Sequence, residues 1–137
     1  MKTKQVLSVE QMKHLKELGL DTSDGSMCWC YALSYKNAKW ELEIYEDVID
    51  QKRDSAFWEI IPTYTLQDIL DKLPTLIIIS SDFYKICIEP SCGYWDIYYY
   101  KSDATELISK KSENIIDVAY DMLCWCIENG YVEKEGK

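Results

Sequence analysis

The 137-residue chain is acidic and rich in tyrosine, and these properties limit the functions it can have. It carries 15 Lys and Arg against 24 Asp and Glu, for a net charge of −9, and 47% of its residues are hydrophobic. That balance is typical of one soluble domain, which we expect to span residues 1–137 with flexible ends at 1–5 and 133–137. No basic stripe suited to phosphate contacts is present, so we expect no nucleic-acid partner.

The cellular location is predicted from the absence of targeting features in the sequence. The N-terminal stretch MKTKQVLSVEQMK has charge but no apolar segment behind it, and the aliphatic run Leu76–Ile79 is too short to cross a bilayer. We therefore expect a cytoplasmic protein with no membrane partner and with its six cysteines reduced.

The first half of the chain predicts a helix followed by a hairpin. Ser8 and Gln11 fit a capping box, and Gly19 fits the left-handed residue after the helix. Pairing Tyr35 with Trp40 across KNAK places the large apolar residues of both strands on one face, which we expect to be the buried one. An acidic loop and a third short strand, Phe57–Ile61, should follow, with Pro62 ending the strand.

The middle of the chain predicts a short helix and a second hairpin. Thr65 and Asp68 fit a second capping box, and Pro74 should end this helix. In the segment FYKICIEPSCGYWDIYYY, Pro90 fits the second position of a type I turn over residues 89–92. That register sets Lys85 opposite Asp96, and it directs Ile86, Trp95, Ile97 and Tyr99 inward.

The opposite face of this second hairpin is unusually aromatic. It presents five apolar or aromatic side chains: Phe83, Cys87, Tyr94, Tyr98 and Tyr100. Contiguous aromatic surface marks contact sites, so this face is covered either by a helix of the same chain or by a partner. Both alternatives remain open from the sequence.

The last helix should run from an Asn114 cap to about Glu128, before Gly130. Its apolar residues fill an arc of about 220°, which is wider than one supporting surface requires. The helix is therefore either central or shared with a partner, in which case Trp125 is a candidate contact residue.

The two CWC triplets, at residues 28–30 and 124–126, invite a metal or redox interpretation. On a helix, residues two apart point about 160° away from each other, so Cys124 and Cys126 cannot hold one ion. On a strand, Cys28 and Cys30 share a face, but their Cα atoms lie roughly 6.5–7 Å apart. We expect separate, buried thiols and no metal site. Cys87 and Cys92, beside the second turn, are the pair with some prospect of oxidation.

Catalytic signatures are weak throughout the sequence. His14 is the one histidine and lies on the polar side of the first helix, while Glu41 and Glu43 share a strand face that offers no apolar pocket. The five glycines stand singly and do not form a phosphate loop. We therefore predict no catalytic residues, no cofactor and no enzyme.

Three segments carry a family resemblance: LSVEQMKHLKELGLDTS, IPTYTLQDILDKLP and MLCWCIENGYV. They resemble a family of small uncharacterised proteins encoded by phages and mobile elements of gut-dwelling anaerobic bacteria. The resemblance implies a cytoplasmic, accessory role and transfers no catalytic or binding residues.

Together these patterns predict an α+β domain with one twisted antiparallel sheet of two hairpins and a short strand, two to three helices, and the C-terminal helix packed on the sheet. The leading functional hypothesis is a protein-interaction module, self-associating through Phe83, Tyr94, Tyr98, Tyr100 or Trp125. One alternative is an acidic decoy, in which residues 41–73 imitate nucleic-acid phosphates to a basic host protein. Another is a small-molecule pocket lined by Trp29, Trp40 and Trp95.

Overall fold

The computed structural model describes residues 4–134, so the predicted flexible ends lie mostly outside the described residues. Within that range the helices are α1 (Val9–Glu17), α2 (Tyr45–Gln51), α3 (Leu66–Lys72) and α4 (Ile115–Glu128). The strands are β1 (Met27–Ala32), β2 (Glu41–Ile44), β3 (Trp58–Thr63), β4 (Leu76–Ile79), β5 (Asp82–Ser91), β6 (Tyr94–Tyr100) and β7 (Glu106–Ser112). No helix in this range is long and apolar enough to cross a bilayer.

The strands form two antiparallel sheets, which corrects the prediction of one sheet. The small sheet has the order β2-β1-β3, and the large sheet has the order β4-β5-β6-β7. The α+β class is confirmed, but β4, β7 and α2 were not predicted. The second hairpin is therefore the centre of a four-stranded sheet, with β4 and β7 at its edges.

The main core lies between α4 and the inner face of the large sheet. Ile97 and Tyr99 of β6 are fully buried there against Met122, Leu123 and Ile127 of α4. The Tyr99 hydroxyl donates a hydrogen bond to the Pro74 carbonyl at 2.7 Å. The wide apolar arc of α4 is explained because the helix packs on β6, β7 and α3 together.

The predicted helix starts are confirmed by their hydrogen bonds. The Ser8 hydroxyl accepts from the Gln11 amide while the Gln11 side chain accepts from the Ser8 amide. Thr65 and Asp68 make the same reciprocal pair at the start of α3. Both capping boxes satisfy backbone N–H donors that the first helical turn leaves unpaired. Because each box depends on only four consecutive residues, it can be predicted from the sequence.

The first hairpin differs from its prediction in both register and buried face. Trp29 lies opposite Leu42, so β1 and β2 are offset by four positions from the predicted pairing. The buried side chains of β1 are Cys28 and Cys30, because α2 covers that side with Val48. The segment predicted as an acidic loop therefore contains helix α2. Because α2 covers the face with Cys28 and Cys30, the buried face of this sheet is the opposite of the predicted one.

The second hairpin keeps its predicted faces but turns at a different place. Ser91 pairs with Tyr94, and Cys92 and Gly93 make the two-residue turn with φ of +48° and +87°. Positive φ at both positions is the type I′ geometry whose twist matches a hairpin. Pro90 instead lies within β5 opposite Trp95, beyond the end of the shorter β4, where its missing N–H leaves no neighbour unpaired.

The third strand also passes through its proline. β3 runs through Pro62, which pairs with Cys28, instead of ending before it. β3 is an edge strand of the small sheet, and proline is tolerated where one side of the backbone has no partner strand.

Candidate functional site

The outer face of the large sheet brings together four of the five predicted contact residues. Phe83 of β5 and Tyr94, Tyr98 and Tyr100 of β6 all point away from α4. Tyr98 and Tyr100 lie beside each other, with ring centroids 5.5 Å apart. This side of the sheet has no helix against it within residues 4–134, since α4 packs on the side of Tyr99.

Strand β4 adds two residues to this face that sequence reasoning missed. Ile78 lies opposite Phe83, and Leu76 lies opposite Lys85. Both are exposed, Ile78 by 57% and Leu76 by 40%, while Ile77 between them is buried. We call Leu76, Ile78, Phe83, Tyr98 and Tyr100 the outer patch. The missed signal was the run LIII, whose alternate residues face solvent.

Polar residues bound the outer patch towards the hairpin turn. Glu89 and Asp96 lie opposite each other, and the Tyr98 hydroxyl donates to Glu89 at 3.1 Å. Asp96 also accepts a 2.8 Å hydrogen bond from the Ser109 hydroxyl. Tyr94 lies beyond this pair, next to the turn, so it is exposed but separate from the outer patch.

The fifth predicted contact residue, Trp125, lies elsewhere. It belongs to α4, on the opposite side of the large sheet, and stacks on Tyr131 with ring centroids 5.4 Å apart. Trp125 is half-buried and packs against the main core. The structure therefore does not bring it together with the aromatic residues of β5 and β6.

The two CWC triplets occupy different cores, as predicted. Cys124 and Cys126 are buried in α4, and Cys28 and Cys30 are buried in the small sheet under α2. No group of three or more metal-ligating side chains occurs in the described part of the chain. Cys87 and Cys92 are also separate, because Cys87 pairs with Tyr98, five residues along β5 from the turn.

Cys28 and Cys30 do approach each other more closely than their strand positions indicated. Their Sγ atoms are 3.6 Å apart. Glu43 lies on β2 opposite Cys28, and Arg53 holds its carboxylate with two bonds of 2.7 Å. Burial raises the pKa of both thiols, whereas hydrogen bonding to Arg53 lowers the pKa of Glu43. Both thiols are therefore neutral near pH 7, beside an ionised carboxylate.

A cavity of about 420 Å³ opens next to Cys30. Ala32 and Trp58 line it, together with Tyr35, Lys36 and Lys39 from the connection between β1 and β2. The small-molecule prediction placed Trp29, Trp40 and Trp95 around one pocket. Trp95 instead belongs to the large sheet, while Trp29 lies on the face of β1 opposite Cys30.

The acidic residues of segment 41–73 do not share one surface. Glu41 pairs with Cys30 and Glu59 pairs with Tyr31, so these two carboxylates point to opposite faces of the small sheet. Asp68 caps α3 and accepts from Ser26.

His14, the one histidine in the sequence, is exposed on α1, 3.8 Å from Glu17. The His14 ring also makes a tilted contact with the Tyr120 ring.

Comparison with known proteins returned no matching family model, no matching curated protein and no matching solved structure.

Proposed function

We propose that this chain is a protein-interaction module that pairs with a second copy of itself through the outer patch. The observation that carries the proposal is a sheet face with no helix against it within residues 4–134. On it, exposed apolar side chains of β4 and β5 lie near two tyrosines of β6, with Lys85 among them. The largest apolar patch on a soluble monomer is often functional, and aromatic residues are typical of binding hot spots.

The size of the outer patch favours a weak, reversible dimer. A large apolar side chain offers about 150–200 Å² of surface. Leu76, Ile78 and Phe83, which are 40–57% exposed, and the two partly buried tyrosines together provide about 300–350 Å². A standard interface buries about 800 Å² on each partner. The outer patch therefore supplies somewhat less than half of that area. The remainder would come from polar residues, including Lys85, which lies between Leu76 and Tyr100.

The difference between the two edge strands of the large sheet supports a second copy of the chain as the binding partner. The free edge strand β4 is Leu-Ile-Ile-Ile, with no charged side chain, whereas β7 at the other edge carries Lys110 and Lys111. Charged residues, lysine above all, discourage edge pairing, and uncharged apolar strands invite it. Because Leu76 and Ile78 of β4 belong to the outer patch, a two-fold axis that packs one outer patch against the other would bring these edge strands into a closed dimer.

The acidic-decoy alternative has less support. It requires clustered carboxylates, and Glu43 is neutralised by Arg53, Asp68 caps a helix, and Glu59 faces away from Glu41. The exposed acids of α2, Glu46, Asp47 and Asp50, remain its best surface. A decoy would need these three residues to dominate binding.

Sedimentation equilibrium from about 1 to 100 μM tests the proposal. We expect a monomer–dimer equilibrium in this range, since small interfaces are typical of weak, transient association. Phe83→Glu should shift the protein to monomer while its circular dichroism spectrum is retained. Phe57→Glu is the matched control, because Phe57 and Phe83 are both 56% exposed but Phe57 precedes β3 in the other sheet.

Two outcomes would contradict the proposal. One is a wild-type protein that stays monomeric up to 100 μM. The other is equal dissociation by Phe83→Glu and Phe57→Glu, which would show that the effect comes from added charge and not from the outer patch. Ile78→Lys, on the edge strand, provides a second variant that does not alter an aromatic residue.

A further inference from the structure

We propose that Cys28 and Cys30 form a dithiol site that binds one trivalent arsenical across both sulfur atoms. The inference rests on geometry, because the two Sγ atoms lie side by side on one face of β1 at 3.6 Å. That distance is too long for a disulfide bond of about 2.05 Å, and it matches the separation of two sulfur atoms that are both bonded to one bridging atom. The site is independent of the self-association proposed above, which uses the other sheet.

The distance between the two sulfur atoms limits the bond angle at an atom that bridges them. If each bond to sulfur is about 2.3 Å, as for zinc thiolates, a separation of 3.6 Å corresponds to an angle of about 103° at the bridging atom. This angle excludes a linear two-coordinate ion and fits a pyramidal atom such as trivalent arsenic. Arsenic needs no further protein ligand, since its third substituent is the organic group it brings.

The protonation state of the pair also favours an arsenical over a divalent metal. Binding of a metal ion by two thiols releases two protons, which buried thiols with raised pKa values oppose. An arsenical condenses with neutral thiols instead. Hydrated phenylarsine oxide, PhAs(OH)₂, reacts with two R–SH to give PhAs(SR)₂ and two water molecules. Two As–O bonds break, two As–S bonds form, the thiol protons leave in the water, and arsenic stays trivalent.

The approach to the site is through the cavity beside Cys30. Cys30 lines this cavity, and Cys28 lies behind it. The first As–S bond would therefore form at Cys30 and the second at Cys28. The phenyl group would then lie in the cavity, against Trp58 and the aliphatic part of Lys39.

Intact-protein mass spectrometry with phenylarsine oxide tests this site. We expect one phenylarsenic group per chain and the loss of two of the six titratable thiols in the unfolded, non-reducing assay. Tryptic cleavage places the three cysteine pairs in separate peptides, 17–36, 86–101 and 112–134. The arsenic should be found on peptide 17–36. This location can be read from the wild-type protein even if a cysteine variant fails to fold.

The chain contains its own control in the second CWC triplet. Cys124 and Cys126 have the same spacing but lie on a helix, where they point apart. Cys28→Ala or Cys30→Ala should weaken retention of the arsenical about tenfold or more, because the second bond is intramolecular. Cys124→Ala should leave it unchanged. Absence of an adduct, or its location on peptide 86–101 or 112–134, would overturn the proposal.

Discussion

Arg53 binds the Glu43 carboxylate with both of its terminal guanidinium nitrogens, at 2.7 Å each, while its Cζ atom lies 4.5 Å from the Trp58 ring centroid. This bidentate pair links β2 to the segment after α2, on the side of the small sheet that carries Cys28. We expect Glu43→Gln to destabilise the protein by about 1 kcal/mol, a value reduced from that of a buried pair because both side chains are partly exposed. Urea unfolding at pH 7 measures it, with Glu41→Gln on the same strand as the matched control.

The same pair predicts how stability depends on pH. Arg53 lowers the pKa of Glu43 in the folded protein below its unfolded value of about 4.3. The stabilisation is therefore complete above that unfolded value and is lost as the pH falls through the folded one. The difference between wild type and Glu43→Gln should shrink between pH 5 and pH 3. A difference that stays constant over this range would show that the carboxylate charge is not responsible.

Gly25 lies against the backbone of β3, and this close approach predicts a steric cost. A Cβ atom at this position would lie 2.6 Å from the Thr63 carbonyl oxygen and 2.9 Å from the Thr63 nitrogen. Neither backbone atom can move without disturbing the Met27–Thr63 end of the small sheet. We expect Gly25→Ala to lower the free energy of unfolding by about 2 kcal/mol. An unchanged midpoint in thermal or urea unfolding would contradict this contact.

The turn of the second hairpin can be improved by one substitution. Cys92 adopts a φ of +48°, which is unfavourable for most residues with a side chain, and Gly93 follows at +87°. Asn-Gly is the preferred pair in a type I′ turn. We expect Cys92→Asn to stabilise the protein by about 0.5 kcal/mol, while Ser91→Asn, one residue earlier in the strand, should give no gain. Loss of stability in Cys92→Asn would show that the turn has another geometry.

Local signals in the sequence predicted the parts of the fold that depend on a few neighbouring residues. The caps of α1 and α3, the span of α4 and the inward residues Ile97 and Tyr99 are all confirmed. The two faces of the second hairpin survived an error of register because the offset was an even number of residues, which preserves side-chain alternation.

The errors arose where tertiary contacts decide between local alternatives. Pro90 and Cys92-Gly93 are competing turn signals two residues apart, and the glycine, with its free φ, prevailed over the proline. The buried face of β1 depends on α2, whose single buried residue, Val48, gives almost no periodic pattern. The 3.6 Å distance between the Cys28 and Cys30 Sγ atoms could not be predicted either. It depends on the side-chain rotamers of both cysteines, which are packed beneath α2.

Substitution of Trp125 tests whether this side chain contributes to the core or to a dimer interface. Its stack on Tyr131 and its contact with the main core predict that Trp125→Glu lowers stability by about 2 kcal/mol. Since it lies across the large sheet from the outer patch, the dimer constant of the folded protein should not change. Phe83→Glu should give the opposite result, with dissociation and little loss of stability, because Phe83 is 56% exposed. Dissociation by Trp125→Glu at full stability would instead move the interface to α4.

Added salt should have opposite effects on the affinity of self-association and on the affinity of a phosphate-mimicking decoy for its partner. Two copies that each carry a net charge of −9 repel each other, and the Debye length falls from about 14 Å at 0.05 M salt to about 4 Å at 0.5 M. An apolar interface between them should therefore tighten as salt is added, by a factor of about 3 to 10 in the dimer constant over this range. Sedimentation equilibrium at the two salt concentrations measures the change. A decoy bound to a basic protein would weaken steeply instead, and so would a dimer held together by the carboxylates of α2. A dimer that dissociates with added salt would therefore reject the outer patch as its interface.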